Sequence, residues 1–180
     1  MSTPTPATTE DWQALVESHS REGFAAAFDH PFLLALTSVD VAPRPMPTLR
    51  LPNGVAEIQA ALLAERRRLA SGERLMPVMP IRKVQTTFPS MITVGRAKNN
   101  DLCVPDTLVS KFHAFFVRRP DGQWTLADAG SANGTRIGDK ELVPKGAAEV
   151  VRSGDKVRFG VTTFSFFDAV GLWSALHGHR

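Results

Sequence analysis

Four side chains between residues 96 and 133, Arg96, Ser110, Lys111 and Asn133, are the kinds of group that hold a phosphate and the polypeptide attached to it. A guanidinium matches phosphate oxygens in pairs, an ammonium adds a point charge, and a hydroxyl adds a neutral hydrogen bond. An Asn amide carries one acceptor and two donors, so it can pair with the backbone of an extended peptide. These groups sit in three short segments: Val94-Gly95-Arg96, Val109-Ser110-Lys111-Phe112-His113-Ala114, and Ser131-Ala132-Asn133-Gly134-Thr135. Each segment lies where an apolar alternating run meets a turn.

Each residue also has an ordinary reading. Arg96 alone is a charge at a strand end, Lys111 a surface lysine, and Asn133-Gly134 a leading hairpin-turn dipeptide. Their common register favours the phosphate site. His113, three positions after Ser110, invites a Ser-His catalytic reading. No recognisable oxyanion-hole or orienting-acid motif accompanies it, and no Gly-x-Ser-x-Gly elbow occurs. There is likewise no Gly-x-x-x-x-Gly-Lys phosphate loop, no Gly-x-Gly-x-x-Gly and no His-Glu-x-x-His. The expectation is binding without catalysis, with no metal or other cofactor; His177 and His179 read as solvated tail residues.

The elements that must position these groups follow from periodicity. From about residue 77 to 170 apolar residues alternate, as in Ile92/Val94, Phe115/Val117, Trp124/Leu126, Val157/Phe159 and Phe164/Phe166, with Gly, Asp, Asn and Pro turns between them. That pattern predicts a mainly β chain built as a β-sandwich. Its opening strand, near Met79–Val84, is flanked by Pro77, Pro80 and Pro89, which predicts an edge strand or irregular chain. Ahead of it, residues 1–8 are expected to be a disordered tail and residues 9–72 a helical extension. Thr8 with Asp11 resembles a capping pattern, and a 3.6-residue stripe runs through Trp12, Leu15, Val16, Phe24, Ala27 and Phe28 toward Pro31. Phe32–Leu36 reads as a second helix or a buried extended piece. Pro43, Pro45, Pro47 and Pro52 make a stiff linker over 43–52, and a second helical stripe follows from Val55 to a stop at Gly72. Residues 171–180 are expected to hold a short closing helix or tail.

Composition sets outer bounds. With 43% hydrophobic residues, the 180-residue chain has ample material for a core. The single cysteine, Cys103, excludes an internal disulfide. No run approaches the eighteen or so apolar residues of a membrane helix, and Met1–Pro6 lacks the features of a secretory signal, so no membrane partner and a cytoplasmic location are expected. The net charge of +3 favours anionic partners weakly. Arg66-Arg67-Arg68 is the one basic run, and it reads as a solvated helix face, so no nucleic-acid partner is expected.

Together the three segments resemble the forkhead-associated (FHA) domain pattern of Gly-Arg, then Ser-x-x-His, then Asn-Gly. Asn100-Asp101-Leu102 and Val104-Pro105-Asp106 resemble the family's link into its Ser-x-x-His segment, Asp121–Leu126 its hairpin, and Gly154–Gly160 its last turn. The resemblance implies an FHA domain over 77–170, a two-sheet sandwich with its recognition loops gathered at one end. It further implies that Arg96 and Ser110 bind phosphate oxygens, that Lys111 adds charge and that Asn133 meets the peptide. Gly95, His113 and Gly134 then form the structural motif, with His113 a buried brace. Ala132 departs from the Thr or other polar residue of many members.

The implied function is a non-catalytic, phosphothreonine-dependent protein interaction module in Ser/Thr kinase signalling, with a Thr-phosphorylated protein or peptide as partner. The alternative is a phosphate-independent scaffold using the sandwich face and the N-terminal helices. Thr8 and Thr9, followed by Glu10 and Asp11, are candidate phosphorylation sites.

Overall fold

The computed structural model describes residues 9–35 and 78–177. The expected tail at 1–8, the Pro linker at 43–52, the stripe from Val55 to Gly72 with Arg66–Arg68, and residues 178–180 lie outside the described residues.

In chain order the elements are α1 (Thr9–Ser18), α2 (Arg21–Ala27), β1 (Phe32–Ala35), β2 (Val78–Pro80), β3 (Ile92–Gly95) and β4 (Leu102–Cys103). They continue with β5 (Ala114–Arg118), β6 (Trp124–Asp128), β7 (Thr135–Ile137), β8 (Lys140–Glu141), β9 (Glu149–Val151), β10 (Lys156–Phe159), β11 (Thr162–Phe167) and α3 (Ala169–His177). The strands form two sheets, one of six strands in the order β2-β1-β11-β10-β7-β8 and one of five in the order β4-β3-β5-β6-β9. All described pairings are antiparallel except β3 with β4.

Period-two patterning decides which residues of β5 and β10 are buried. Along β10, Lys156 and Arg158 are exposed while Val157 and Phe159 are buried. Phe116 of β5 reaches across the sandwich to Phe166 of β11, ring centres 5.9 Å apart, and to Phe159 of β10 at 6.5 Å. Val94, Leu126, Val157 and Phe164 complete the centre of this core.

The N-terminal stripe does not form one continuous helix. It breaks before Ser20, whose Oγ accepts the Gly23 amide hydrogen at 3.1 Å and so caps α2 as a separate helix. The run at Phe32–Ala35, open to two readings in sequence, is a strand. It lies inside the six-stranded sheet, paired with β2 on one side and β11 on the other, so its backbone is satisfied at both edges. A strand covered on both faces carries a continuous apolar run instead of an alternating one, which is what Phe-Leu-Leu provides. Leu33 belongs to the sandwich core. Phe32 points the other way, into a cluster with Trp12 at 5.2 Å and Phe28 at 5.7 Å. The Trp173 indole of α3 donates to the His19 carbonyl at 3.1 Å, tying α3 to the end of α1. Trp12, Val16 and Phe24 are buried here, which commits the apolar side of α1 and α2 to the protein's own interior.

β2 is the edge strand the prolines called for, and residues 81–91 run on without regular structure. Among the described residues no helix is long and apolar enough to cross a membrane.

Candidate functional site

Gly95 ends β3 against the turn that carries Lys111. A Cβ at Gly95 would stand 2.3 Å from the Lys111 carbonyl oxygen, so only glycine lets the two backbones approach this closely. Three bonds use that closeness. The Arg96 amide donates to the Ser110 carbonyl at 3.0 Å, the Ala97 amide to Lys111 at 3.3 Å, and the His113 amide to Val94 at 2.8 Å. Arg96 and Lys111 are thereby fixed on adjoining loops. Both residues are exposed, and among the described residues neither charged group has a hydrogen bond or ion-pair partner.

Ser110 and His113 meet, but not as a nucleophile and its base. The Ser110 amide donates to His113 Nδ1 at 3.0 Å, while the Ser110 hydroxyl oxygen accepts the Ala132 amide hydrogen at 3.0 Å. Because Nδ1 accepts, the ring hydrogen sits on Nε2, which donates to the Gly134 carbonyl at 3.1 Å. Both ring nitrogens are engaged by backbone. Burial pushes the imidazole pKa below its ordinary value, against the opposing pull of the Gly134 hydrogen bond and the Asp128 charge. The neutral ring is therefore the form that fits.

Asn133 donates through Nδ2 to the Leu108 carbonyl at 2.8 Å, linking the loop after β6 to the one before Ser110. Its amide oxygen and second N–H remain for other partners. Gly134, with φ of +73°, turns the chain from Asn133 into β7. The structure thus brings Arg96, Ser110, Lys111, Asn133 and the Gly95, His113 and Gly134 frame into one cluster of loops. Thr9 is the first residue of α1, and Thr8 lies outside the described residues.

Three acids and an amide that the sequence did not single out as site residues hold these loops in place. The Asp101 side chain has no exposed surface, and its two oxygens accept from the Val84, Gln85 and Thr93 amides, the Thr93 hydroxyl and Lys83 Nζ, at 2.6 to 2.9 Å. Desolvation by burial would raise its pKa, but these donors outweigh it and hold the carboxyl far below the usual range. Asp128 does the same for the loop bearing Asn133, accepting from the Gly130 and Ser131 amides and the Ser131 and Thr135 hydroxyls. Its pKa too is lowered against the opposing effect of burial. Asp106 ties the loop before Ser110 to β11, accepting from the Leu108 amide and the Thr162 hydroxyl. Asn100, nearly buried, donates to the Lys111 and Ala97 carbonyls, both at 2.7 Å. The available signal was the position of these residues, inside or next to short turns where Asp and Asn side chains characteristically take backbone N–H groups.

The FHA domain family model matches residues 92–160 of this chain. An oxoglutarate dehydrogenase inhibitor of Corynebacterium diphtheriae is 38% identical over 76 residues, which are 42% of this chain and 50% of that protein. An ABC transporter ATP-binding/permease protein of Mycobacterium tuberculosis is 32% identical over 80 residues, 44% of this chain and 9% of that one. The N-terminal FHA domain of Saccharomyces cerevisiae Rad53p, solved in complex with a phosphothreonine peptide, aligns at a TM-score of 0.44 and 19% identity, covering 54% of this chain and 87% of that one. Residues 92–160 thus match the FHA domain, within a chain that folds as a mainly β two-sheet sandwich with short N-terminal helices. It spans at most half the length of the two curated relatives named here.

Proposed function

We propose that the loop cluster is a receptor for phosphothreonine in a partner protein and acts by binding alone. The observation that carries this reading is the state of Ser110. Its hydroxyl oxygen is already an acceptor for the Ala132 amide, so its own hydrogen is the group left to donate outward, on the loop bonded to Arg96, whose guanidinium has no partner among the described residues. A phosphoryl group brings about −1.5 to −2 charges and three strong acceptor oxygens, and it is matched by a hydroxyl donor, a guanidinium and the Lys111 ammonium. Asn133 would then hold the peptide backbone with the amide atoms it does not use on Leu108. A Ser/Thr kinase acting on the partner is the expected source of the modification, and the cytoplasm the expected place. One relative is named for inhibiting oxoglutarate dehydrogenase, so an enzyme is one class of partner to test.

The phosphate-independent scaffold loses one of its surfaces, because Trp12, Val16 and Phe24 on the apolar side of α1 and α2 are buried and unavailable for assembly. Calorimetric titration with a phosphothreonine peptide library, and with the same library dephosphorylated, separates the two. Equal binding of both would favour the scaffold.

A further inference from the structure

A cleft of about 310 Å³ adjoins the loop cluster, and the binding chemistry assigned above leaves it unused. Its walls include Phe88, Phe112, Gln85, Thr87, Asn99 and Lys111. The aromatic wall is open to solvent: Phe88 is 45% exposed and Phe112 39%. The two rings lie 6.0 Å apart with planes only 8° from parallel, and Phe112 stacks in turn on Phe115 of β5 at 6.2 Å. This is a stack of rings anchored on a strand, with aromatic surface left uncovered.

The polar groups around it are mostly neutral. Lys83 also lines the cleft, but its ammonium is engaged by Asp101 and the Met91 carbonyl, both at 2.8 Å. Gln85, Thr87 and Asn99 have side chains without a partner among the described residues. The cleft is continuous with the loop cluster at two points, since Ala97 follows Arg96, Lys111 follows Ser110, and both line it.

We propose that this cleft receives one aromatic side chain of the bound phosphopeptide, from a residue within three positions of the phosphothreonine. The proposal rests on the phosphothreonine reading and adds a sequence preference to it. The volume suits one large side chain, and an aromatic ring gains offset stacking on Phe88 and Phe112 that an aliphatic side chain does not. A Tyr hydroxyl or Trp N–H at its rim meets the amides of Gln85 or Asn99. A cationic side chain is disfavoured by Lys111, and an acidic one would leave the aromatic wall uncovered. Three extended residues span about 10 Å, enough to pass from the phosphate to a neighbouring cleft.

The test is a phosphothreonine peptide library randomised at three positions on each side, screened against the full chain in parallel with its unphosphorylated copy. Phe, Tyr or Trp should be enriched at one position. Phe112→Ala and Phe112→Leu, the latter keeping apolar bulk without a ring, should erase that enrichment. Either should weaken the selected peptide about two- to tenfold, the range expected of an aromatic pair, and leave a phosphopeptide with Ala at that position unaffected. Phosphate-dependent binding without aromatic enrichment, or enrichment that survives in both variants, overturns the cleft and leaves the phosphothreonine reading standing. Binding without phosphate dependence overturns that reading instead, and the cleft is then judged by titrating N-acetyltyrosinamide against the Phe88 and Phe112 ring signals in NMR spectra. Saturable shifts there support an aromatic receptor, and their absence rules it out.

Discussion

Ser110 donates its amide hydrogen to Nδ1 of His113 across 3.0 Å, so the residue assigned to phosphate is oriented by a buried ring. Through Nε2 the same ring holds Gly134, the neighbour of Asn133. One side chain therefore sets the spacing of the two loops that carry Ser110 and Asn133. This makes His113 a positioning residue.

His113→Ala leaves the Ser110 amide without its acceptor and opens a void beside Phe159, whose ring centre lies 5.7 Å from the imidazole. An unsatisfied buried group costs about 1–3 kcal/mol, so the melting temperature should fall by several degrees. Scanning calorimetry checks this. An unchanged melt would remove the bracing role.

Arg96→Ala should weaken phosphopeptide binding about ten- to a hundredfold, the effect of losing a charge-assisted contact of roughly 1.5–3 kcal/mol. Because the Arg96 side chain is exposed and has no partner among the described residues, the variant's melting temperature should stay at the parent value. Ser110→Ala should also weaken binding. Calorimetric titration of both variants provides the measurement, and unchanged affinity in both would displace the site.

Gly95→Ala should be costly for a different reason. Its Cβ meets the Lys111 carbonyl oxygen and carbon at 2.3 and 2.8 Å, both backbone atoms, so the loop that carries Ser110 and Lys111 has to move. Overpacking of this kind costs about 1–3 kcal/mol. Urea denaturation and peptide titration should show stability and affinity falling together.

Stability should decline with acidification in two windows. The pKa values of His113 and His30 are lowered in the folded state, chiefly by burial, so the unfolded chain takes up protons first. Their contribution is complete above the unfolded value of 6.5 and is lost as pH falls from there through the folded values. Asp101 and Asp128 are lowered too, so theirs is complete above 3.8 and is lost below it. Urea midpoints measured from pH 8 to pH 3 should fall in both windows. Asp101→Asn should lower stability at neutral pH and flatten the second.

A protein phosphorylated at Thr8 or Thr9 carries a candidate ligand for its own receptor. If the tail reaches the loop cluster, it competes at an effective concentration near millimolar. Binding of an external phosphothreonine peptide should then fall on phosphorylation, as fluorescence anisotropy can measure. The same phosphate is also favoured at the N-terminus of α1, and full retention of peptide binding would mean that it stays there.

The clustering of the site loops could be anticipated in the sequence because Arg96, Ser110, Lys111 and Asn133 stand where alternation stops. The strands from Ile92 onward were open to reading as strands, but burial alternates strictly only along β5 and β10, and in β5 it is Phe116 that enters the core while Phe115 and Val117 are half-buried. Asp101 was not open to reading, because its partners at Lys83, Val84 and Gln85 belong to irregular chain that only folding brings near. β1 was ambiguous for the opposite reason: burial on both faces erases the alternation that separates strand from helix. The break between α1 and α2 left a faint trace in Ser20 three residues before Gly23, overridden by an apolar stripe that continues across it.

The place of β1 between β2 and β11 bears on how the protein is made. Phe32 is synthesised well before its partner Phe167. Until then an apolar strand has one edge unpaired, a template for pairing with other chains. Closing so long a loop is also entropically slow, which places this pairing late in folding. A fragment cut to residues 92–160 would lack β1, β2 and β11 altogether, so the stretch that defines the family is smaller than the unit that folds.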